Sequence, residues 1–135
     1  MEKSFFENEE YRIENGILIN YLGDKKKISI PSQVAGYKIK SIGGYAFGSK
    51  QIDTLILREG IEKIEKGAFA RTYIKNLILP STINRMSDAV FYFNNIPNNI
   101  VIYRSFSQAR WNRLRNNCIS TVTGSFFAQN KFHRR

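Results

Sequence analysis

The segments IDTLILREGIEKIEKGAF (residues 52–69) and IKNLILPSTINRMSDAVF (residues 74–91) decide the fold, because each is a variant of the other displaced by 22 residues. Three registers share this spacing: Ile52, Ile74 and Ile96; Ile42, Ile64 and Met86; and Phe47, Phe69 and Phe91. A fixed period of this length is typical of chains that stack one structural unit on the next. The sequence therefore predicts a repeat architecture.

The period continues outward with two irregularities. Ile100-Val101-Ile102 follows Leu77-Ile78-Leu79 after 23 residues, one more than the period. At the other end, Ile30 precedes Leu57 by 27 residues, and Val34-Ala35-Gly36-Tyr37 predicts that the excess forms a turn-bearing insertion. About four coils are expected.

The repeat has the features of a leucine-rich repeat. Ile52-x-x-Leu55-x-Leu57 and its counterpart 22 residues later fit the consensus of that class, and the apolar triplets predict parallel strands in adjacent coils. Gly60 and Thr82 stand where the consensus asparagine usually lies, so the ordinary asparagine ladder is not expected. The phenylalanine register predicts an interior stack on the opposite wall.

Two blocks carry a closer resemblance. Ile42-Gly43-Gly44-Tyr45-Ala46-Phe47 and Ile64-Glu65-Lys66-Gly67-Ala68-Phe69 resemble the repeat of the BspA-like leucine-rich-repeat family, over roughly residues 11–103. The third block departs from it, since Val90 replaces the alanine, and Arg58 replaces an expected proline. The resemblance implies a non-enzymatic protein-binding module, related to cell-surface or host-protein interaction.

The two ends of the array need covers, because end coils expose the core. Residues 11–21 contain Asn15-Gly16, a hairpin turn signal, and predict an N-terminal hairpin cap. Trp111, Leu114 and Cys118 have helical spacing and predict a C-terminal capping helix, while residues 128–135 are expected to be poorly ordered.

These elements together predict the fold class: a β-rich α/β chain forming a right-handed leucine-rich-repeat solenoid with a parallel sheet, a hairpin cap and a helical cap. Residues 1–103 are expected to form the solenoid with its N-terminal cap. Residues 104–135 are expected to form a basic C-terminal capping helix and tail.

Composition indicates a folded chain, with 42% hydrophobic and 24% charged residues. Its single cysteine, Cys118, excludes an intrachain disulfide. Neither a signal-peptide core nor a membrane-length apolar run is present in the sequence. As written, the chain is expected in the cytoplasm, but one trimmed of a signal peptide would look the same, so secretion or cell-surface attachment stays open.

The sequence offers little catalytic chemistry. His133, the only histidine, lies near the C-terminus, where a solvated tail residue is expected. Cys118 has no histidine in the repeat to activate it, and the carboxylates fall in charged or repeat-phased stretches. No catalytic residue, metal site or cofactor is predicted, and the chain is not expected to be an enzyme.

The best candidate for a binding site is the concave face of the predicted sheet. Residues between the inward strand positions should point there, and Arg58 and Lys75 should flank them. An apolar stripe of this kind favours a protein partner. The predicted site comprises Ser29, Ile56, Arg58, Lys75, Ile78 and Val101.

The C-terminal segment supports a competing hypothesis. Residues 104–135 carry 7 Lys+Arg and no Asp or Glu, out of a net charge of +10 for the chain. Arginines interleaved with aromatic residues can hold nucleic acid or anionic membrane, here through Arg110, Trp111, Arg113 and Arg115. Self-association is a further possibility for either surface.

Overall fold

The fold is taken from a computed structural model, which describes residues 4–91, 99–102, 109, 112–114 and 131–134. Strands dominate this part of the chain. They are β1 (Phe5–Glu7), β2 (Tyr11–Glu14), β3 (Ile17–Tyr21), β4 (Lys27–Ile30), β5 (Gln33–Val34), β6 (Tyr37–Lys38), β7 (Ser41–Ile42), β8 (Gln51–Leu57), β9 (Lys63–Ile64), β10 (Tyr73–Ile78), β11 (Arg85–Met86), β12 (Asn99–Ile102) and β13 (Lys131–Arg134).

One wall of the molecule is a five-stranded sheet in the order β13-β12-β10-β8-β4, in which every pair is parallel. Leu55 of β8 lies beside Leu77 of β10, and Leu77 lies beside Ile100 of β12. The chain makes three complete turns between β4 and β12. The predicted repeat, its register and its parallel sheet are confirmed.

The opposite wall is a six-stranded sheet in the order β1-β2-β3-β7-β9-β11. Strands β3, β7, β9 and β11 are parallel, whereas β1 and β2 are antiparallel. Asn15 and Gly16 join β2 to β3 with φ angles of 51° and 80°, as a type I′ hairpin turn requires. The predicted N-terminal hairpin is therefore present.

Aromatic rings fill the interior along the six-stranded wall. The ring centroids of Phe47 and Phe69 are 5.9 Å apart, and those of Phe69 and Phe91 are 5.8 Å apart. Tyr21 extends the stack by one ring, at 5.7 Å from Phe47. All four side chains are buried, so the predicted interior stack is confirmed and lengthened.

The predicted insertion in the first coil is a small hairpin of β5 and β6. Its turn is Ala35-Gly36, and both residues have positive φ. Because β5 and β6 pair only with each other among the described strands, the extra residues leave the register between β4 and β8 intact.

The C-terminal segment is described only in part. Ala109 and residues 112–114 are helical, and Leu114 is buried in the same core as the repeats. Trp111 and Cys118 lie outside the described residues. Disorder was expected for residues 128–135, but this is wrong for residues 131–134, which form β13 because the edge of β12 offers them backbone partners.

Candidate functional site

The outward side of the five-stranded sheet is the candidate site, and we call it the outer face. Strand residues alternate between the two sides of a sheet. Ile28, Leu55, Leu77 and Ile100 point inward and are at most 1% exposed. Their neighbours therefore point outward, in two rows that run across the strands.

The first row contains four of the six predicted site residues. Ser29 lies beside Ile56, Ile56 beside Ile78, and Ile78 beside Val101. Ser29 is exposed, whereas the three apolar side chains are half-buried. The structure thus brings these residues together as an apolar row with a polar end.

Of the two predicted basic residues, one is tied to this row. Arg58 follows β8, and its Nε donates a hydrogen bond of 2.8 Å to Ser29 Oγ. Lys75 lies on β10 and is exposed. Arg58 is thereby held over the polar end of the row, beside β4.

The second row is polar. It consists of Lys27, Thr54, Asn76 and Asn99, placed side by side on β4, β8, β10 and β12. Asn99 Nδ2 donates to Asn76 Oδ1 at 2.7 Å, and Asn76 Nδ2 donates to the Asp53 carbonyl oxygen at 3.1 Å. These bonds hold the amide side chains in place along the apolar row.

Sequence reasoning missed this polar row. An asparagine ladder was considered only at Gly60 and Thr82, the two residues that occupy the consensus asparagine position. The available signal was Thr54, Asn76 and Asn99, at spacings of 22 and 23 residues. At the consensus position, the Gly60 amide donates instead to Thr82 Oγ1 at 2.9 Å, and Thr82 Oγ1 donates to the Ile61 carbonyl oxygen.

Adjacent coils are also tied together at the corner after β8. The backbone amide and the hydroxyl of Ser81 both donate to the Glu59 carboxylate, at 2.9 and 2.7 Å. A carboxylate that accepts two hydrogen bonds is held firmly. Glu59 therefore serves as a link between coils.

Perturbed tyrosines lie at the N-terminal hairpin, away from the outer face. Burial raises the pKa of Tyr21 strongly, and the hydrogen bond that its hydroxyl donates to Glu10 Oε2 at 2.8 Å adds to the increase. Burial also raises the pKa of Tyr11, with Glu10 contributing. Lys25 pairs with the same carboxylate at 3.3 Å.

The remaining candidates are only partly covered by the structure. Among the described residues, no group of three or more His, Cys, Asp or Glu side chains is placed to hold a metal ion. No helix in the same set is long and apolar enough to cross a membrane. Of the alternative binding residues, Arg113 is exposed on the helical segment, whereas Arg110, Trp111 and Arg115 lie outside the described residues, so that hypothesis stays untested.

Comparisons with known proteins agree with this architecture. The family model for the BspA type leucine rich repeat region, in six copies, matches residues 19–131. No curated protein and no solved structure matches the chain. The family match covers most of the chain. The stacked parallel strands and the phenylalanine-bearing coils described above lie within the matched residues. The chain therefore belongs to the BspA-type leucine-rich-repeat family.

Proposed function

We propose that this chain is a non-enzymatic protein-binding or assembly module that uses the outer face. The observation that carries the proposal is the row of Ile56, Ile78 and Val101, which leaves three apolar side chains half-exposed in one line. Such a line between polar groups has the composition of a protein interface, with an apolar centre and a polar rim. Binding at a cell surface or to a host protein, which the family resemblance implies, is part of the proposal.

The size of the outer face limits how it acts. Strand spacing and rise give the face an area of about 300 Å², whereas a standard interface buries about 800 Å² per partner. Groups around the face therefore have to contribute. Tyr73, which is 44% exposed at the start of β10, and Lys75 beside it are the nearest candidates.

The proposal includes a right-handed solenoid that is closed at both ends. Crossovers between parallel strands are right-handed in nearly all proteins, which supports the handedness. Tyr11 and Ile13 of β2 join the core of the first coil, and this supports the hairpin as one cap. Burial of Leu114 in the same core supports the helical segment as the other.

Site-specific photo-crosslinking tests the proposed face. A benzoylphenylalanine replacing Ile78 should give one recurrent protein adduct in extracts of the source cells. The same group replacing Lys63, which is exposed on the opposite wall, should not. The captured protein is then purified and titrated against wild-type chain and Ile78→Asp.

We expect Ile78→Asp to weaken that complex at least tenfold with little dependence on salt, because an apolar contact is lost. Equal adducts at positions 78 and 63, or unchanged affinity of Ile78→Asp, would contradict the proposed face. Affinity that falls steeply with salt would instead favour the alternative, nucleic-acid or membrane binding through Arg110, Trp111, Arg113 and Arg115.

A further inference from the structure

The five-stranded sheet ends at β4 in an edge that no described strand covers. The amide of Thr54 donates to the Lys26 carbonyl, and the amide of Arg58 donates to the Ile30 carbonyl. In a parallel ladder, backbone groups of alternate residues face the same neighbour. The N–H and C=O groups of Lys27 and Ser29 therefore point away from β8.

These outward groups are accessible. Lys27 and Ser29 are both exposed, and within the described part of the chain their edge-facing backbone groups have no hydrogen-bond partner. Ile28 and Ile30, between and after them, are buried. The edge thus offers backbone donors and acceptors without exposing apolar core.

Positive charge surrounds the edge. Lys25, Lys26 and Lys27 are consecutive, and Arg58 is fixed over the strand by its bond to Ser29. Lys25 pairs with Glu10, and Lys26 donates to the Gln51 carbonyl oxygen. Two exposed acidic residues, Asp24 and Asp53, also lie beside this run, and the Asp53 amide donates to the Lys26 carbonyl oxygen. Lys27 and Arg58 carry charge that no carboxylate in the described region neutralises by direct contact.

We propose that an acidic, extended segment of a partner protein adds to this edge as a further strand, with its backbone on Lys27 and Ser29 and its carboxylates facing Lys27 and Arg58. Strand addition of this kind draws affinity from main-chain hydrogen bonds and specificity from alternate side chains. Lysines on an open edge discourage pairing with a second copy of the same strand.

Charge also argues against a head-to-tail copy of this chain as the occupant. The opposite edge of the sheet is β13, whose sequence contains Lys131 and Arg134 and no acidic residue. Pairing β13 with β4 would bring two basic strands together. An acidic segment removes that repulsion.

The test uses a fluorescein-labelled peptide of about seven alternating Glu and Val residues, a common strand length. Its binding to the full chain is followed by fluorescence anisotropy at low and high salt. We expect saturable binding that weakens with salt, and no binding of the matched Lys/Val peptide. Absence of saturable binding of the acidic peptide up to millimolar protein would overturn the proposal.

Two comparisons separate strand addition from general attraction to a basic protein. Lys27→Glu should weaken binding about tenfold, whereas Lys63→Glu, with the same change in net charge on the opposite wall, should leave it within about twofold. N-methylation of the peptide at one set of alternate residues should abolish binding, and at the other set should not, because only alternate amides face the edge.

Strand addition at β4 would be refuted if Lys27→Glu and Lys63→Glu lost peptide affinity equally, or if the two N-methylated peptides bound equally. The edge shares Lys27, Ser29 and Arg58 with the outer face, but Ile78 lies on β10, two strands away from β4. Ile78→Asp should therefore bind the peptide as the wild type does. Loss of peptide binding in Ile78→Asp would place the peptide on the apolar row instead.

Discussion

Left-handed backbone recurs at fixed positions in the coils, although the residues there differ. Tyr45, Gly67 and Ala89 have φ angles of 58°, 73° and 55°, and Ser49 and Arg71 have 62° and 59°. Of these five residues only one is glycine, the type that adopts this region without strain. The stacked backbone imposes the conformation, and the other four residues bear its cost.

Replacing the strained serine should therefore stabilise the protein. Ser49 is exposed, so Ser49→Gly loses no buried contact, and we expect its free energy of unfolding to rise by about 0.5–1 kcal/mol. Urea denaturation followed by circular dichroism measures the change. Gly67→Ala should have the opposite sign, since Gly67 needs positive φ. A loss of stability in Ser49→Gly would mean that the strain is absent.

The N-terminal hairpin is held to the segment before it by a hydrogen bond from a buried tyrosine, whose ring packs on the first phenylalanine of the coils. Tyr21, at the end of β3, donates to Glu10 between β1 and β2, and its ring lies 5.7 Å from those of Tyr11 and Phe47. The hydroxyl is kept protonated in the fold, because burial and the carboxylate both raise its pKa.

This attachment makes stability fall at high pH. Below the ordinary tyrosine pKa of 10.0, folded and unfolded chains both keep the proton, and stability is full. Above it only the unfolded chain ionises freely, so the free energy of unfolding decreases as pH rises. Tyr21→Phe should flatten this decrease between pH 9 and about 12, measured by urea midpoints. Tyr45 is exposed, so Tyr45→Phe serves as the control and should keep the wild-type slope of stability against pH. Equal slopes in the wild type and both variants would exclude Tyr21 as the cause.

An element could be predicted from the sequence when the residues that specify it lie close together along the chain. The coil strands and the Asn15-Gly16 hairpin were predictable because periodic apolar residues and turn chemistry are local. Strand β13 was not, since its pairing with β12 depends on an open edge made by residues about 30 positions earlier. The predicted row of Ser29, Ile56, Ile78 and Val101 followed from register, whereas the Asn76–Asn99 bond required knowing that both amides face outward.

Across the whole molecule, one aromatic stack runs through every described coil. Neighbouring coils in a solenoid stabilise each other, so an interior ring supports the coils on both sides of it. Phe69 lies between Phe47 and Phe91 and is fully buried.

Removing that ring should lower the stability of the protein and make its unfolding less cooperative. Phe69→Ala is expected to cost about 3–5 kcal/mol, and loss of the middle contact should broaden the unfolding transition. Thermal and urea unfolding measure both effects, and hydrogen exchange should show β10 and β11 opening before β3 and β4. Phe5→Ala, at a ring that is 49% exposed, serves as the control and should be nearly neutral. A small cost for Phe69→Ala would contradict the interior stack.

The links between coils also bear on how such a chain can change its length over evolutionary time. Residues one period of 22 apart are joined in four pairs: Lys40–Glu62, Thr54–Asn76, Glu59–Ser81 and Gly60–Thr82. An in-frame duplication or deletion of one 22-residue block would therefore place equivalent partners opposite each other again. Recombination between the repeats could lengthen or shorten the array in single steps, while the first coil, with its extra hairpin, and the two ends stayed as they are.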